Sequence, residues 1–183
     1  MRKLTFTELQ AQRVHALQGN PGPRLPVSVI LDDIRSLHNV GAVFRTADAV
    51  GLEHLYLCGI SGTPPRDEIR KTSLGAEESV AWSYQANAVD LAKELQRQQR
   101  QVVVLEQTTA SIDFRQAVYR FPLVLVIGHE YHGINDELVA CADLAIDLPM
   151  HGKKHSLNVS VAFGVAIYEI MRRWEETNAL GCL

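Results

Sequence analysis

The chain has 183 residues, of which 46% are hydrophobic, and this is enough apolar material for one packed core. Its 18 basic and 21 acidic side chains give a formal charge of −3, which excludes a broadly basic nucleic-acid-binding surface. The sequence has no apolar run of membrane-spanning length and no signal-peptide pattern, so we expect a cytoplasmic protein without a membrane anchor.

Cysteine spacing and overall organisation are simple. Cys58, Cys141 and Cys182 are odd in number and widely separated, which predicts neither a disulfide framework nor a paired zinc site. The sequence has no internal repeat or low-complexity segment, so we expect one main domain. The predicted divisions are a short helical arm and turn at 1–26, the main domain at 27–176 and a tail at 177–183.

Apolar strands and helices alternate along the main domain. Strands are predicted where Val, Ile and Leu run together, at 27–33, 54–59, 101–106, 122–128 and 143–149. Helices are predicted between and after them, at 39–51, 88–100 and 156–176. Strands this apolar are typical of a parallel sheet that is covered on both faces. The pattern therefore predicts an α/β fold with a mostly parallel sheet flanked by helices.

The loops that follow the strands are the first places to expect a ligand, because open α/β sheets bind ligands beyond the carboxyl ends of their strands. After the first strand, Asn39 and Arg45 lie six residues apart on one predicted helix. Asn39 has an alternative interpretation as a helix cap, and Arg45 has one as a solvated helix arginine. The apolar neighbours of Arg45, such as Val43 and Phe44, argue slightly against the interpretation that Arg45 is only a solvent-exposed helix residue.

A second polar loop, IGHEYHGINDEL, brings Gly128, Glu130 and Gly133 into one predicted sharp turn. Glycine at a strand end lets backbone or ligand approach closely, and a second glycine often adopts a positive φ. The alternative is an ordinary strand-to-helix turn with Glu130 near a helix start. A zinc protease site is not predicted, because the two histidines are three residues apart rather than four.

The loop before the last helix, LPMHGKKHSLNVSVAFGVAIYE, combines two lysines with a predicted helix start. Ser156 is predicted to cap that helix, and Lys153 and Lys154 either attract an anion there or are plain solvated charges. The segment does not match a P-loop, because one glycine is missing and a histidine separates Lys154 from Ser156. His151 and His155 are interpreted as loop side chains, not metal ligands.

In order and spacing, NVGAVFRTADAVG, IGHEYHGINDEL and LPMHGKKHSLNVSVAFGVAIYE resemble the three motifs of the SpoU/TrmH family. The resemblance covers residues 27–175 and includes KTSLGAEESV at 71–80. One position departs from the pattern, because His129 stands where relatives usually have a small or amide residue. The resemblance implies a homodimer and a deep trefoil knot in the C-terminal part of the α/β fold, an exception to the general absence of knots.

The resemblance also implies S-adenosylmethionine as the cofactor, held in the knot by the ends of three strands and by the last loop. The residues that match this site are Leu105, Glu106, Ile127, Gly128, Leu148, Ser156 and Leu157. S-adenosylmethionine has no phosphate, which agrees with the lack of a glycine-rich phosphate loop. No metal is expected.

The implied reaction is transfer of a methyl group to a ribose 2′-hydroxyl of RNA. The residues that match the catalytic set are Arg45, the principal one, with Asn39, Glu130, Ser156 and Asn158. Family descriptions make the arginine a general base, but a guanidinium is rarely neutral in a protein. We prefer a role in which Arg45 grips a phosphate of the target nucleotide and stabilises the developing alkoxide.

A compact target such as a tRNA arm is favoured over ribosomal RNA, because the smallest family members modify the anticodon loop. The candidate phosphate contacts are Arg24, Arg35, Arg66, Arg70, Lys71, Lys153 and Lys154. Two alternatives stay open: a non-catalytic RNA-binding or assembly protein that retains the knotted fold, and a methyltransferase that acts on a base or a small molecule. The presence of all five catalytic matches argues against the first.

Overall fold

The computed structural model describes residues 1–18 and 24–180, and its core is a parallel β-sheet. The strands are β1 (Leu25–Asp32), β2 (Leu52–Cys58), β3 (Trp82–Gln85), β4 (Gln101–Leu105), β5 (Ile112–Asp113), β6 (Leu123–Ile127) and β7 (Leu144–Asp147). They lie in the order β3, β2, β1, β6, β4, β7, β5, and each neighbouring pair is parallel. The predicted mostly parallel sheet is confirmed.

The direction in which strands are added reverses in the middle of the sheet. From β1, the next two strands in the chain, β2 and β3, are added towards one edge of the sheet. Strand β6 instead lies on the other side of β1, between β1 and β4. Leu31 lies beside Ile127, and Val104 lies beside Val126, so the carboxyl ends of β1, β6 and β4 meet at the same edge. Open α/β sheets bind ligands at such a reversal.

Helices cover both faces of the sheet. The helices of the chain are α1 (Phe6–Gln18), α2 (Leu37–Ala49), α3 (Asp67–Ser73), α4 (Ala88–Arg97), α5 (Asp136–Cys141) and α6 (Val159–Leu180), with a 3₁₀ turn at Ala76–Glu78, and α2, α4, α5 and α6 contribute side chains to the core. Side chains alternate along β1: Val29 and Leu31 pack with residues of α2 and α6, whereas Ile30 packs with residues of α4 and α5. Because both faces are covered, the strands read as continuous apolar runs.

Several short elements escaped prediction from the sequence. Strands β3 and β5 have four and two residues, and helices α3 and α5 have seven and six, so their periodicity is too brief to identify. Strand β1 begins earlier than predicted, because buried Leu25 already pairs with Leu52 of β2. Helix α6 continues past residue 176 to Leu180. Most of the predicted turn at 19–26 lies outside the described residues.

Helix α2 lies unusually close to α3 at Gly41. A Cβ atom at this position would lie 2.1 Å from Thr72 Oγ1 and 2.3 Å from the carbonyl oxygen of Ile69. The same threonine hydroxyl donates a hydrogen bond of 3.0 Å to the carbonyl of His38, which links the two helices directly. This contact fixes the position of the first turns of α2, which carry Asn39.

We expect Gly41→Ala to destabilise the protein by about 1–3 kcal/mol, because the added methyl group overlaps backbone as well as side-chain atoms. Urea denaturation measures the free energy of unfolding. The matched control is Gly152→Ala, where a Cβ would meet nothing within 4 Å, and the change should stay within about 0.5 kcal/mol. Equal stability of the two variants would contradict the close helix contact.

Candidate active site

A cavity of about 800 Å³ opens where the strand order reverses. Small-molecule sites in proteins usually enclose about 300–1,000 Å³. The walls come from the ends of β4, β6 and β7, the start of α2 and the loop before α6. The predicted catalytic and cofactor residues that line it are Asn39, Leu105, Glu106, Gly128, Glu130, Leu148, Ser156, Leu157 and Asn158.

Asn39, Glu130 and Asn158 form one hydrogen-bonded chain in the cavity wall. Asn39 Nδ2 donates to Glu130 Oε1 at 3.1 Å, and Asn158 Nδ2 donates to Asn39 Oδ1 at 3.1 Å. The two contacts join residues that are 91 and 119 positions apart in the sequence. The three motifs identified separately in the sequence therefore meet at one place.

The Glu130 carboxylate is fixed at the amino end of α2. Besides the amide of Asn39, it accepts hydrogen bonds from the backbone N–H of Arg35 at 3.2 Å and of Ser36 at 3.1 Å. Burial alone would raise the pKa of Glu130, but the backbone N–H of Glu130 itself, together with these donors, outweighs burial and lowers the pKa below the ordinary value. The helix N-terminus also favours negative charge. Glu130 is therefore held as a carboxylate.

The turn that carries Glu130 is sharp, as predicted, and depends on both of its glycines. His129 and Gly133 exchange backbone hydrogen bonds of 3.1 and 2.9 Å. A Cβ on Gly128 would lie 2.5 Å from the carbonyl oxygen of Gly133, and Gly133 itself has a φ of +69°. Glu130 does not lie at the start of the helix that follows it in the chain, because α5 begins at Asp136 after the turn is complete.

Glu106, at the end of β4, closes the other side of this turn. Its Oε2 accepts a hydrogen bond of 3.0 Å from the backbone N–H of Ile134, and its Oε1 accepts one of 2.9 Å from that of Gln107. The Gln107 side chain in turn donates to the carbonyl oxygen of His155 at 2.6 Å. The ends of β4 and β6 and the loop before α6 are therefore joined by polar contacts.

Two helix starts differ from expectation. Ser36, not Asn39, caps α2, and this leaves the Asn39 side chain free to join Glu130 and Asn158. The prediction that Ser156 caps the last helix is wrong: α6 begins at Val159, and Asn158 Oδ1 accepts the backbone N–H of Ser160 at 3.0 Å. One asparagine thus both caps α6 and bonds to Asn39.

The cavity fits the chemistry of S-adenosylmethionine. Aliphatic side chains provide surfaces for its adenine ring, and they are Leu105, Leu148, Met150, Leu157, Val159 and Ala162. The carboxylates of Glu106, Glu130 and Asp147 give a negative surrounding for its sulfonium and ammonium groups. Ile127 is the one predicted cofactor residue that does not line the cavity, because its side chain is buried in the core between the sheet and helices α2 and α6.

Arg45 is not brought to the cavity. It is an exposed residue of α2, six positions after Asn39, so its side chain leaves the helix about 120° around the axis from the Asn39 side chain. Among the described residues, its guanidinium has no hydrogen bond or ion pair. The catalytic role implied for Arg45 stays a prediction, and Arg45 does not line the cavity that holds the Asn39–Glu130 pair.

The seven candidate phosphate contacts do not form one surface. All are exposed, but Arg35 alone of them lines the main cavity. Arg66 and Arg70 line a second, smaller cavity beside Trp82. Arg24 precedes the first residue of β1 and so lies at the opposite edge of the sheet from the main cavity. Lys71 lies on α3, and Lys153 and Lys154 lie in the loop before Ser156.

Several lining residues were missed from the sequence. Ser36 carried a readable signal, because a serine directly before a helix is a common cap. Asp147 ends a strand, the usual position for a ligand-binding side chain, and its Oδ2 accepts a hydrogen bond of 2.7 Å from Ser111 Oγ. Tyr131 and Met150 carried no signal, since only the tertiary fold turns them toward the cavity.

Two further features of the described residues bear on function. Over 1–18 and 24–180, no three His, Cys, Asp or Glu side chains are grouped as a metal site would need. Within the same ranges, no helix combines the length and the apolarity needed to cross a membrane.

We expect Glu130→Gln to lower the free energy of unfolding by about 1–3 kcal/mol at pH 7. The glutamine side chain would replace one carboxylate oxygen by an NH₂ group, which cannot accept the hydrogen bonds that Glu130 accepts from the surrounding N–H groups. Since the native pKa of Glu130 is lowered, ionised Glu130 stabilises the fold above its unfolded-state pKa of about 4.3. This contribution is lost as pH falls through the native pKa, so wild type and variant should converge in acid.

Urea denaturation at neutral and acidic pH measures the difference. Glu175→Gln, on the exposed surface of α6, is the control and should show no such pH dependence. A constant difference between Glu130→Gln and wild type at all pH values would contradict the role of the charge.

Two tRNA methyltransferases and one rRNA methyltransferase resemble this chain over most of its length. It is 36% identical over 148 residues to the tRNA (guanosine(18)-2′-O)-methyltransferase of Aquifex aeolicus, covering 81% of this chain and 70% of that protein. It is 30% identical over 167 residues to the Thermus thermophilus protein of the same name, covering 91% and 84%. The 23S rRNA (guanosine-2′-O-)-methyltransferase RlmB of Ralstonia nicotianae is 34% identical, and the chain covers 62% of it.

The fold also resembles solved structures of related enzymes. The fold superposes on the A. aeolicus TrmH/SpoU tRNA modifying enzyme with a TM-score of 0.80 and 32% identity, covering 95% of this chain and 87% of that one. An AdoMet-bound rRNA methyltransferase from Sinorhizobium meliloti gives a TM-score of 0.74 at 29% identity, covering 82% and 60%. The family model named SpoU rRNA Methylase matches residues 26–168, well over half of the chain. The predicted resemblance is thereby confirmed, and the chain belongs to the SpoU rRNA methylase family.

Proposed function

We propose that this protein transfers the methyl group of S-adenosylmethionine to a ribose 2′-hydroxyl of tRNA, in the cytoplasm. The observation that carries the proposal is the Asn39–Glu130–Asn158 chain in the wall of a cavity at the strand-order reversal. Relatives named as tRNA 2′-O-methyltransferases support the substrate, and an AdoMet-bound relative supports the cofactor. The match to a 23S rRNA enzyme makes ribosomal RNA the comparison substrate.

The cofactor would be held by the cavity residues at the strand ends, namely Leu105, Glu106, Gly128 and Leu148, and by Ser156 and Leu157 of the last loop. When bound, it supplies an electrophilic methyl group on a positively charged sulfur. Glycine at position 128 keeps the end of β6 bare of side-chain atoms. Ser156, which is exposed and lines the cavity, is proposed to orient the substrates.

Methyl transfer requires the 2′-oxygen to be aligned with the methyl carbon and to lose its proton. Glu130 is unsuited to accept that proton directly, since its carboxylate is already engaged by three donors and its pKa is lowered. We assign Glu130 to positioning, through Asn39 and Asn158. Arg45, exposed and without a partner among the described residues, is proposed to bind a phosphate of the RNA and to stabilise the developing alkoxide.

A homodimer is part of the proposal. Leu157, two residues before α6, is exposed, and further exposed apolar side chains lie along the surface of the helix at Val161, Val165 and Tyr168. Their spacing places them on one helix face. An apolar stripe of this kind on a surface helix is typical of an interface. The knotted chain path stays a prediction of the family resemblance.

The reaction is tested by incubating the protein with methyl-labelled S-adenosylmethionine and tRNA from a strain that lacks it, followed by nuclease digestion and nucleoside mass spectrometry. We expect one labelled 2′-O-methylnucleoside from tRNA and none from ribosomal RNA. Label in ribosomal RNA alone would overturn the substrate, and label on a base or on a small molecule would overturn the reaction. Cofactor binding without transfer to any RNA would favour a non-catalytic role.

In the same assay, Arg45→Lys should lower kcat by about 100-fold or more, because a lysine cannot reproduce the planar fork of donors. The affinity for S-adenosylmethionine, measured by calorimetry, should stay unchanged. Arg120→Lys changes an exposed arginine outside the cavity and should leave kcat at the wild-type value. Near-normal turnover of Arg45→Lys would contradict the proposed role.

The dimer is tested by sedimentation velocity. Wild type should sediment as a dimer and Val165→Asp as a folded monomer, because the new carboxylate would be desolvated at the interface. Val118→Asp, a matched change at an exposed valine away from α6, should leave the dimer intact. A monomeric wild type would contradict the proposal.

A further inference from the structure

Tyr131 is the most exposed of the tyrosines and tryptophans that the structure describes, yet it lines the main cavity. Its side chain is 85% exposed, and it directly follows Glu130 in the turn after β6. An aromatic ring left in water gains nothing from the core, so packing does not explain this tyrosine. A ring at the mouth of a cavity is instead suited to a flat ligand.

The backbone that carries Tyr131 is held rigidly. His129 Nδ1 accepts hydrogen bonds from the backbone N–H of Tyr131 at 2.9 Å and of His132 at 3.3 Å. Together with the paired backbone bonds between His129 and Gly133, these contacts fix four residues of the turn. His129 therefore takes an acceptor role that a side-chain amide can also fill at a turn.

The neighbouring rings extend this aromatic surface. The centroid of the His129 ring lies 6.1 Å from that of Tyr131 and 4.7 Å from that of His132, in tilted arrangements. His132 is exposed, whereas His129 is partly covered. Three ring-bearing side chains thus cluster on one five-residue turn at the cavity mouth.

We propose that Tyr131 stacks on the base of the nucleotide whose ribose enters the cavity, and so acts as a positioning residue for the RNA. RNA-binding proteins commonly hold splayed-out bases on aromatic side chains. The proposal rests on the proposed function, because it identifies how that same site would recognise its substrate. Glu130 connects the cavity wall to Tyr131, because its carboxylate contacts Asn39 in that wall and Tyr131 is the next residue in the chain.

The degree of exposure favours the RNA base over the cofactor as the partner of this ring. The strand-end residues proposed to hold the cofactor, such as Gly128 and Leu148, are partly covered by protein, and Leu157 of the last loop, at 42%, has about half the exposure of Tyr131. Tyr131 stands in solvent at the rim, where the outer of two ligands would meet it. A rigid aromatic side chain also loses little conformational entropy when it binds.

The experiment compares Tyr131→Ala, Tyr131→Phe and wild type in binding the tRNA fraction by filter retention, and in binding S-adenosylmethionine by calorimetry. Tyr131→Ala should weaken RNA binding by about 10-fold, the scale of one base–aromatic stack, while Tyr131→Phe stays within about two-fold of wild type. Cofactor affinity should be the same in all three proteins. The control is Tyr84→Ala, a half-exposed tyrosine of β3 that does not line the cavity.

A second arm locates the stacked base. Once the methylated position is mapped, the RNA is prepared with an abasic ribose at that position. Wild type should lose about 10-fold in affinity on the abasic RNA, and Tyr131→Ala should lose almost nothing further, because the contact is already absent.

The inference would be overturned by an RNA affinity of Tyr131→Ala equal to that of wild type, or by equal losses for the two proteins on the abasic RNA. Weaker cofactor binding by Tyr131→Ala would also overturn it, since the ring would then belong to the cofactor site. Failure of wild type to methylate any RNA would instead refute the proposed function, and the filter-binding comparison would still decide whether Tyr131 contacts RNA.

Discussion

The site depends first on the carboxylate of Glu130. It accepts hydrogen bonds from two backbone N–H groups at the amino end of α2 and from the side chain of Asn39, and through Asn39 it reaches Asn158. A charged acceptor among three donors, beside a helix N-terminus, is strongly favoured over a neutral one. Because Glu130 and these partners come from three separate segments of the chain, this one charge helps to hold the cavity wall together.

The carboxylate can act in this way only because the backbone around it approaches closely. Gly128 leaves no room for a side chain against Gly133, and Gly133 takes a positive φ beside Glu106. The resulting turn is narrow enough to reach the start of α2, which is itself fixed by the contact of Gly41 with α3. Backbone packing thus sets the geometry, and the polar contacts then stabilise it.

The residues of the site fall into two physical groups. Asn39, Glu130 and Asn158 are fixed by one another, so their geometry exists before any ligand binds. Arg45 and Tyr131 are exposed, and the roles proposed for them require a bound substrate. A preorganised interior with solvent-directed groups outside it suits a substrate too large to enter the cavity whole, as RNA is.

The sequence by itself determined the family, the parallel sheet and most of the polar residues of the site. Apolar runs and loop motifs are local patterns, so they can be identified without knowing how the chain packs. It also placed glycines where the turn after β6 needed them. Only the tertiary structure decided that Asn39 bonds to Glu130, that Asn158 bonds to Asn39, and that Tyr131 stands at the cavity mouth. These facts depend on which side chains meet across about a hundred residues, and local periodicity carries no record of such contacts.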